Sequence, residues 1–362
     1  MVGYGSRRAY LMNAYSATEA IWPALERTCA YLFRPFKVEM FLKLAAVATL
    51  SEGFLVSFRF AVPGAWPFAR AEAGAHALLR SPEILPVAAL AAAALLVLGV
   101  YGFLLVTRLR LAFVHSLIHQ THAFGSAARL YADEADRFFS ASMLVWLSFL
   151  VAVSLAVAAL AALAFALGVT LSSSGKVDSG DLLILSIPGA AVALVLLVAA
   201  GAAQVVLNDF ILPHMVIEGA PFPRAWAAAR ARIAAAPESF LRYFLLRMGL
   251  PLAAGLVLGL LAWVVESIAF GILGISAAGF ADLLNGAPGW RTFLLAAVRG
   301  VFTLLGLGAG AAIAVSFAGP LGVFMRSYAL VFYGRHYQAL GNLLDPAGYA
   351  AQAQQARAQS AR

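Results

Sequence analysis

Residues Ile84–Val106 read ILPVAALAAAALLVLGVYGFLLV, an unbroken run of 23 residues without a charged side chain. A helix rises about 1.5 Å per residue, so about 20 such residues cross the ~30 Å hydrocarbon layer of a bilayer. This stretch therefore predicts a transmembrane helix. Five further stretches are also long and apolar enough to span, at positions 41–60, 141–170, 182–206, 244–265 and 293–317, although the first contains Glu52 and Arg59.

The composition of the whole chain agrees with a membrane protein. Hydrophobic residues make up 63% of the 362 positions, charged residues only 12%, and the mean hydropathy is +0.88. Soluble domains carry about 25% charged residues, which they need to cover their surface. We therefore predict an all-α, polytopic helical bundle with six spans, built as one membrane domain over 1–343. The polar, low-complexity stretch 344–362 predicts a disordered tail.

The basic residues predict the orientation of this bundle. If the N-terminus, the C-terminus and the segments 107–140 and 207–243 lie on one side, that side holds nineteen of the 25 Lys and Arg residues, counting Lys43 and Arg247 at the adjoining span ends. The positive-inside rule then places both termini in the cytoplasm of a cell with a bacterial-type inner membrane. An even number of spans also requires both termini to lie on the same side of the membrane. The residues responsible for the net charge of +8 then lie mostly in a cytoplasmic belt that faces anionic lipid. Basic and aromatic residues do not gather in a soluble module, so the sequence does not favour nucleic-acid binding.

The chain shows a weak internal period. Phe41, Phe139 and Phe240 stand at the entries of spans one, three and five, spaced by 98 and 101 residues, and an amphipathic segment precedes each pair of spans. This spacing predicts three pseudo-repeats of an amphipathic helix plus a transmembrane hairpin. The lead-in segments are either ordinary connectors or sites that bind lipid or a protein partner. Their candidate lipid headgroup belt consists of Arg27, Arg34, Lys37, Arg224, Arg230 and Arg232.

Three ionisable residues fall inside or at the edge of the predicted spans, namely Glu52, Glu266 and Arg299. A charge at the centre of a bilayer costs about 2.5–3.5 kcal/mol even on insertion scales, so such residues are candidates for a functional site. Pairing of Arg299 with Glu52 or Glu266 would lower that cost. Three interpretations remain open: an ion pair that locks the bundle, a polar step in a substrate or proton path, or snorkelling of Arg299 to the outer interface.

Three histidines form a second constellation. His115, His119 and His122 share one helical face, because their spacing places them within about 60° of one another. Three imidazoles could hold Zn²⁺ with a fourth ligand. The spacing HxxxHxxH lacks the glutamate of catalytic zinc motifs, and an interfacial helix with half-polar residues explains it equally. We expect no cofactor, and no catalytic constellation indicates an enzyme.

Glycines form a third feature. Gly255 and Gly259 make a GxxxG motif in the fifth span, which is typical of close packing between membrane helices, with a pore-lining or hinge role as the alternative.

The stretches ALERTCAYLFRPFKVEMFLKLA (24–45), NDFILPHMVIEGAPFPRAW (208–226) and MRSYALVFYG (325–334) resemble a family of uncharacterised prokaryotic multi-pass proteins. That family is similar to the membrane domain fused to some glycerophosphodiester phosphodiesterases. The resemblance implies six helices with cytoplasmic amphipathic segments and no assigned activity. Family members often have tryptophan where Phe41 stands here. No His-Arg-Gly motif or comparable His/Glu cluster is present, so phosphodiester hydrolysis does not carry over.

Two classes of function follow from the sequence. The first is a non-enzymatic membrane component, either a lipid-interacting scaffold or a subunit of a larger assembly, with a protein partner or a second copy of the chain as a further partner. The second is a transporter or channel for a small or lipid-like substrate. A water-lined path that reaches Glu52 and Arg299 would favour transport, whereas a solid bundle would favour the scaffold.

Overall fold

A computed structural model describes residues 17–52, 85–121, 124–166, 179–284 and 290–345. Within these ranges the chain is helical almost throughout and contains no β-strand. The predicted all-α class is therefore confirmed. Of the predicted tail 344–362, only the first two positions lie among the described residues.

The described ranges contain eleven α-helices and one π-helical segment. In chain order they are α1 (Ile21–Phe33), α2 (Val38–Glu52), α3 (Leu85–His119), α4 (Phe124–Leu130), α5 (Ala132–Ala166), α6 (Ser179–Val205), the π segment (Val206–Ile211), α7 (Leu212–Glu218), α8 (Phe222–Ala235), α9 (Pro237–Leu284), α10 (Trp290–His336) and α11 (Gln338–Leu344).

Five helical stretches are long and apolar enough to cross a membrane, and they correspond to predicted spans two to six. The stretches are Ala89–His119, Ala132–Ala166, Ser186–Glu218, Pro237–Ala269 and Gly300–His336. The first predicted span, 41–60, is described only as far as Glu52, where it forms part of α2. The count of six spans therefore stays a prediction.

The helices continue past the predicted ends of the spans at one end of the bundle. α3 runs on from position 106 to His119, and α10 runs on from 317 to His336. The sequence interpretation ended each span near its first basic residue, Arg108 in one case and Arg326 in the other. The helical backbone does not end there, because paired or solvated side chains leave its hydrogen bonds intact.

The extended helix ends form a well-packed core, which we call the packed end. It joins the C-terminal parts of α3 and α10, the N-terminal parts of α5 and α9, the π segment and the short helices α1, α7, α8 and α11. Aromatic rings dominate its centre. Tyr243 stacks on Phe332 with 4.3 Å between ring centroids, and Phe240 meets Phe210 edge-on at 5.0 Å. Such pairs contribute about 0.5–1.5 kcal/mol beyond their buried area.

The middle parts of the long helices have a different environment. Leu96 of α3, Leu155 of α5 and Leu256 of α9 are 70%, 67% and 78% exposed. Each leucine left in water forgoes about 1.5–3 kcal/mol of burial free energy, and tens of such side chains would be incompatible with a water-soluble surface. Hydrocarbon removes that penalty, so the fold is that of a protein embedded in a membrane.

One helix crossing depends on the absence of side chains. Gly319 and Gly322 of α10 face Ala45 and Ala48 of α2, and a Cβ atom added to Gly319 would lie 2.3 Å from the Ala45 Cβ and 2.4 Å from its Cα. At Gly322 the nearest atom to an added Cβ is the Ala48 carbonyl oxygen, at 3.1 Å. Small residues let the two backbones approach closely, which is common at helix contacts in membranes.

The GxxxG motif at Gly255 and Gly259 does not make such a contact. A Cβ added to either glycine would find no atom within 4 Å. Among the described residues this motif therefore makes no close helix contact, and a packing role for it stays a prediction. A spacing of small residues permits close approach but does not decide which helix faces it.

We predict that Gly319→Ala destabilises the protein by about 1–3 kcal/mol, because the added methyl overlaps the backbone of α2. Gly255→Ala is the matched control: it makes the same chemical change on α9, in open space, and we expect it to alter stability by less than ~1 kcal/mol. Thermal unfolding of both variants in detergent micelles measures the difference. Equal unfolding temperatures would contradict the close contact between α2 and α10.

Candidate functional site

Five charged side chains from separate helical elements meet at the junction between the apolar spans and the packed end. We call them the buried charge network: Glu52 of α2, Arg110 of α3, Asp209 of the π segment, Arg247 of α9 and Arg326 of α10. The exposed fraction of these side chains is 4% for Glu52, 0% for Asp209, 1% for Arg326 and 11% for Arg247.

Two arginines bridge the two carboxylates. Glu52 accepts hydrogen bonds from Nη2 of Arg247 at 3.0 Å and from Nε of Arg326 at 2.7 Å, and Nη2 of Arg326 donates to it as well. Asp209 accepts from Nε of Arg247 at 2.9 Å, from Nη1 of Arg326 at 3.3 Å and from the Tyr243 hydroxyl at 2.8 Å. Each carboxylate thus contacts both guanidinium groups, and each guanidinium contacts both carboxylates.

The π segment places Asp209 and also supplies a backbone acceptor. The Leu212 N–H bonds to the Leu207 carbonyl, one residue further back than in an α-helix. The next residue, Pro213, has no N–H to give to the Asn208 carbonyl. That carbonyl accepts from Nη1 of Arg326 at 2.8 Å instead. A π-helical turn often marks a functional position, and here it orients one face of the network.

Arg110 completes the network without a carboxylate of its own. Its Nε donates to the Ser51 carbonyl at 2.8 Å and its Nη1 to the Asn208 side-chain oxygen at 2.8 Å. The network therefore contains three guanidinium groups and two carboxylates. Its excess positive charge is spread over neutral acceptors and the nearby Glu52.

The fully buried atoms of the network are bonded within the protein. None of the fully buried nitrogen or oxygen atoms of its five side chains lacks a hydrogen-bond partner. A buried ion pair offsets its desolvation only when its geometry is good and its partners are hydrogen-bonded, as they are here. The arrangement can lock α2, α3, α9 and α10 together.

A second polar cluster lies deeper in the packed end, and we call it the histidine cluster: His214, Glu218, Arg232, Tyr333 and Tyr337. His214 Nε2 lies 2.9 Å from the Tyr333 hydroxyl and accepts from Arg232 Nη1 at 3.3 Å. Arg232 also lies over the Tyr337 ring, 4.8 Å from its centroid. Burial and a hydrogen bond to Glu218 raise the pKa of the Tyr337 phenol. These contacts join α7, α8 and α10.

The structure places the predicted intramembrane residues in two different settings. Glu52 has arginine partners, but these are Arg247 and Arg326 rather than the predicted Arg299. The backbone of Arg299 lies in α10, and its side chain is outside the described set. Glu266 is buried, and its Oε2 has no hydrogen-bond partner among the described residues.

Only two of the three histidines predicted to share a helical face lie in the described part of the chain. The rings of His115 and His119 lie 4.4 Å apart, and His115 Nδ1 lies 2.9 Å from the Tyr131 hydroxyl. His122 lies outside the described residues. Within the described part of the chain, no three His, Cys, Asp or Glu side chains are grouped so that they could hold a metal ion. A site that includes His122 stays a prediction.

Two residues of the predicted headgroup belt take part in internal contacts. Arg232 belongs to the histidine cluster. Arg27 donates from Nη2 to the Leu117 and Ile118 carbonyls at 2.7 and 3.1 Å and from Nη1 to the Leu344 carbonyl at 3.2 Å. A cation at the C-terminal carbonyls of α3 and α11 is favoured by the helix dipole. Burial lowers the pKa of the Arg27 guanidinium.

The other four belt residues are exposed: Arg34, Lys37, Arg224 and Arg230. They lie on α8 and at the turn that joins α1 to α2. The sequence therefore identified four side chains that remain available to lipid and two that hold helices together.

Sequence reasoning missed four members of the network, because Arg110, Asp209, Arg247 and Arg326 were attributed to the cytoplasmic side as a group. One signal was present for Arg326. It is the single charged residue between Gly300 and Gly334, within an otherwise apolar and aromatic helix. A charge with helical apolar residues on both sides must find a partner inside the protein.

A family model described as a family of unknown function, DUF7544, matches residues 15–343. The chain therefore belongs to this family. No curated protein and no solved structure matches it. The matched region contains the whole buried charge network and the histidine cluster, so both lie within the part of the chain that defines the family.

We predict that Arg326→Met lowers the free energy of unfolding by about 3–5 kcal/mol, because Glu52 loses its closest guanidinium while remaining buried. Arg326→Lys keeps the charge but cannot reach Glu52, Asp209 and the Asn208 carbonyl together, so we expect only partial recovery. Thermal unfolding in detergent measures both variants.

Arg242→Met is the control for this prediction, since Arg242 is 67% exposed and pairs only loosely with Glu238. We expect it to change stability by less than about 1 kcal/mol. Glu52→Gln combined with Arg326→Met should unfold less readily than Arg326→Met alone, because no buried carboxylate is then left short of a partner. Indistinguishable stabilities of Arg326→Met and Arg242→Met would show that the network does not hold the helices.

Proposed function

We propose that this chain is a non-enzymatic membrane scaffold, whose packed end lies at the cytoplasmic face of a bacterial-type inner membrane and binds anionic lipid headgroups. The observation that carries the proposal is the surface around α1. Trp22, Phe33 and Phe36 are 66%, 45% and 56% exposed there, next to the exposed cations Arg34 and Lys37.

The aromatic side chains of this surface form a patch. The rings of Phe33 and Phe36 lie 6.0 Å apart, and Phe41 lies 5.9 Å from both. Aromatic rings beside Arg and Lys suit the headgroup layer, which is apolar on one side and anionic on the other. In water the same patch would be an exposed hydrophobic surface with no partner.

A second surface supports the same proposal. On α8 the apolar face with Ala225 and Ala229 is buried, whereas Trp226 is 44% exposed and lies one turn from the exposed Arg230. Both surfaces belong to short helices at the packed end. The exposed apolar sides of the long helices leave room for a protein partner or a second copy of the chain. The resemblance to membrane domains fused to phosphodiesterases fits an anchoring role.

The buried charge network also favours a scaffold. A transport path needs polar groups that exchange partners with a substrate, but each fully buried nitrogen and oxygen atom of the network already has a partner within the protein. One observation favours the alternative, a transporter or channel: the buried carboxyl of Glu266 lacks such a partner.

We predict that four substitutions to glutamine, at Arg34, Lys37, Arg224 and Arg230, reduce binding of phosphatidylglycerol roughly tenfold or more. Each basic residue near an anionic surface contributes about 1 kcal/mol before screening by salt. Lipid binding to the purified protein is measured by native mass spectrometry, with phosphatidylcholine as the uncharged reference.

The control variant carries glutamine at Arg59, Arg70, Arg80 and Lys176, which lie in the segments predicted to face the opposite side. It removes the same charge, so a loss of binding that depends only on net charge would appear in both variants. An equal loss of binding in both variants, or unchanged binding in the first variant, would overturn the proposed headgroup surface. Conduction of ions or solutes by the parent protein in liposomes would support the transporter alternative.

The orientation is tested with the chain's single cysteine, Cys29, which is exposed on α1. We predict that a membrane-impermeant maleimide leaves Cys29 unmodified in intact spheroplasts and modifies it after permeabilisation. Ser173→Cys, made in a Cys29→Ser background, should be modified without permeabilisation. The reverse pattern would place the packed end on the outer side.

A further inference from the structure

Glu266 of α9 is the one intramembrane carboxyl in the described residues that the buried charge network does not explain. It is 2% exposed, and its Oε2 has no hydrogen-bond partner. One turn earlier, Ala262 belongs to an apolar cluster with Ala318, Leu321 and Met325 of α10. The carboxyl group therefore lies on the side of α9 that packs against α10.

Among the described side chains of α6, α9 and α10, no opposite charge lies near the level of Glu266. Between Arg247 and Glu266, α9 contains no ionisable side chain, and α10 contains none from Gly300 to Met325. The stretch Ser186–Val205 of α6, which also packs against α9, has none either. A carboxylate in such surroundings would be a desolvated and unpaired charge, which is among the most unfavourable arrangements in a protein.

The register of the hairpin bears on Arg299. α9 and α10 run in opposite directions because only five residues connect them, and Tyr243 of α9 stacks on both Tyr328 and Phe332 of α10. Glu266 then lies level with about position 307 of α10. Arg299 is about eight positions further along, which corresponds to ~12 Å of helix. The two residues therefore differ in level by about two helical turns, and the Arg299→Met variant below tests whether they pair.

The surroundings also select the ligand. Calcium takes six to eight oxygen ligands and magnesium an octahedral set, whereas one carboxyl in an apolar contact supplies at most two oxygens. A proton needs a single carboxyl and removes the charge at the same time. We infer that Glu266 is a proton-binding site within the α9–α10 hairpin, occupied when the two helices are packed as seen here.

This site lies far from the buried charge network. Glu266 lies nineteen positions after Arg247 in α9, which corresponds to ~28 Å, close to the thickness of the hydrocarbon layer. Loss of the proton would require water or a counter-ion to enter between α9 and α10. Proton binding at Glu266 therefore couples to the packing of this hairpin, at the end of the span opposite the packed end. The inference does not rest on the proposed headgroup surface.

Dicyclohexylcarbodiimide tests the inference, because it partitions into membranes and reacts with protonated carboxyl groups. The Glu266 proton moves to a carbodiimide nitrogen, the carboxyl oxygen adds to the central carbon, and the adduct rearranges to an N-acylurea. Nothing leaves, so the peptide gains the mass of one reagent molecule. We expect mass spectrometry to find this adduct at Glu266 at pH 6 in liposomes and a strong decrease at pH 9. Glu52 and Asp209, which are ion-paired, should stay unmodified.

Three controls make the test decisive. Glu266→Gln should abolish the adduct and leave the unfolding temperature unchanged or higher, because glutamine resembles the neutral acid. A water-soluble carbodiimide with an added amine should modify the exposed Glu39 and Glu238 but not Glu266. Arg299→Met should leave Glu266 labelling unchanged.

Three outcomes overturn the inference. Modification of Glu266 by the water-soluble reagent would show a hydrated carboxyl. Absence of any adduct at Glu266 at pH 6 would show that the group is ionised. Loss of stability in both Glu266→Gln and Arg299→Met, with no further loss in the double variant, would show an ion pair between them.

Discussion

Charged groups taken out of water must be paired, and the fold at the packed end depends on this constraint. Glu52 and Asp209 are almost completely buried, and each needs the same two arginines. Those arginines come from α9 and α10, whereas the carboxylates come from α2 and the π segment. No pair of these elements can separate without exposing a charge to an apolar surrounding. The network therefore determines how four helical elements are joined just where the lipid-facing spans begin.

The backbone near the network is adapted to it in two places. The π segment and Pro213 leave the Asn208 carbonyl without a donor in its own helix, so that Arg326 can bind it. About two turns before Arg326 in the same helix, Gly319 lets α2 approach α10 closely enough for Glu52 to reach that arginine. Both features would be unfavourable in an isolated helix. Together with the charges they form one arrangement, in which backbone irregularities and ion pairs depend on one another.

Much of the fold could be predicted from the sequence, because length and apolarity determine whether a helix can cross a bilayer. Five spans are located within helices that have the expected character. The partners of Glu52 could not be predicted in the same way, since Arg247 and Arg326 lie 195 and 274 positions away along the chain. The sequence interpretation also assigned the arginines of the lead-in segments to a belt that faces lipid headgroups. Arg27 shows why this fails: it is one turn from residues that do face solvent, yet its own guanidinium caps two helices.

The two buried carboxyls of the long helices illustrate opposite solutions to one problem. Glu52 pairs with two guanidinium groups, and this requires α2, α9 and α10 to converge and pack tightly. Glu266 lies in a hairpin whose described part has no other charge at its level, so only a bound proton removes the cost of burial there. The first solution produces a rigid junction, whereas the second depends on a ligand that exchanges with the surroundings. The packed end is therefore expected to keep its structure over a wide range of pH, while the opposite end of the α9–α10 hairpin is the part of the molecule whose packing follows the proton concentration.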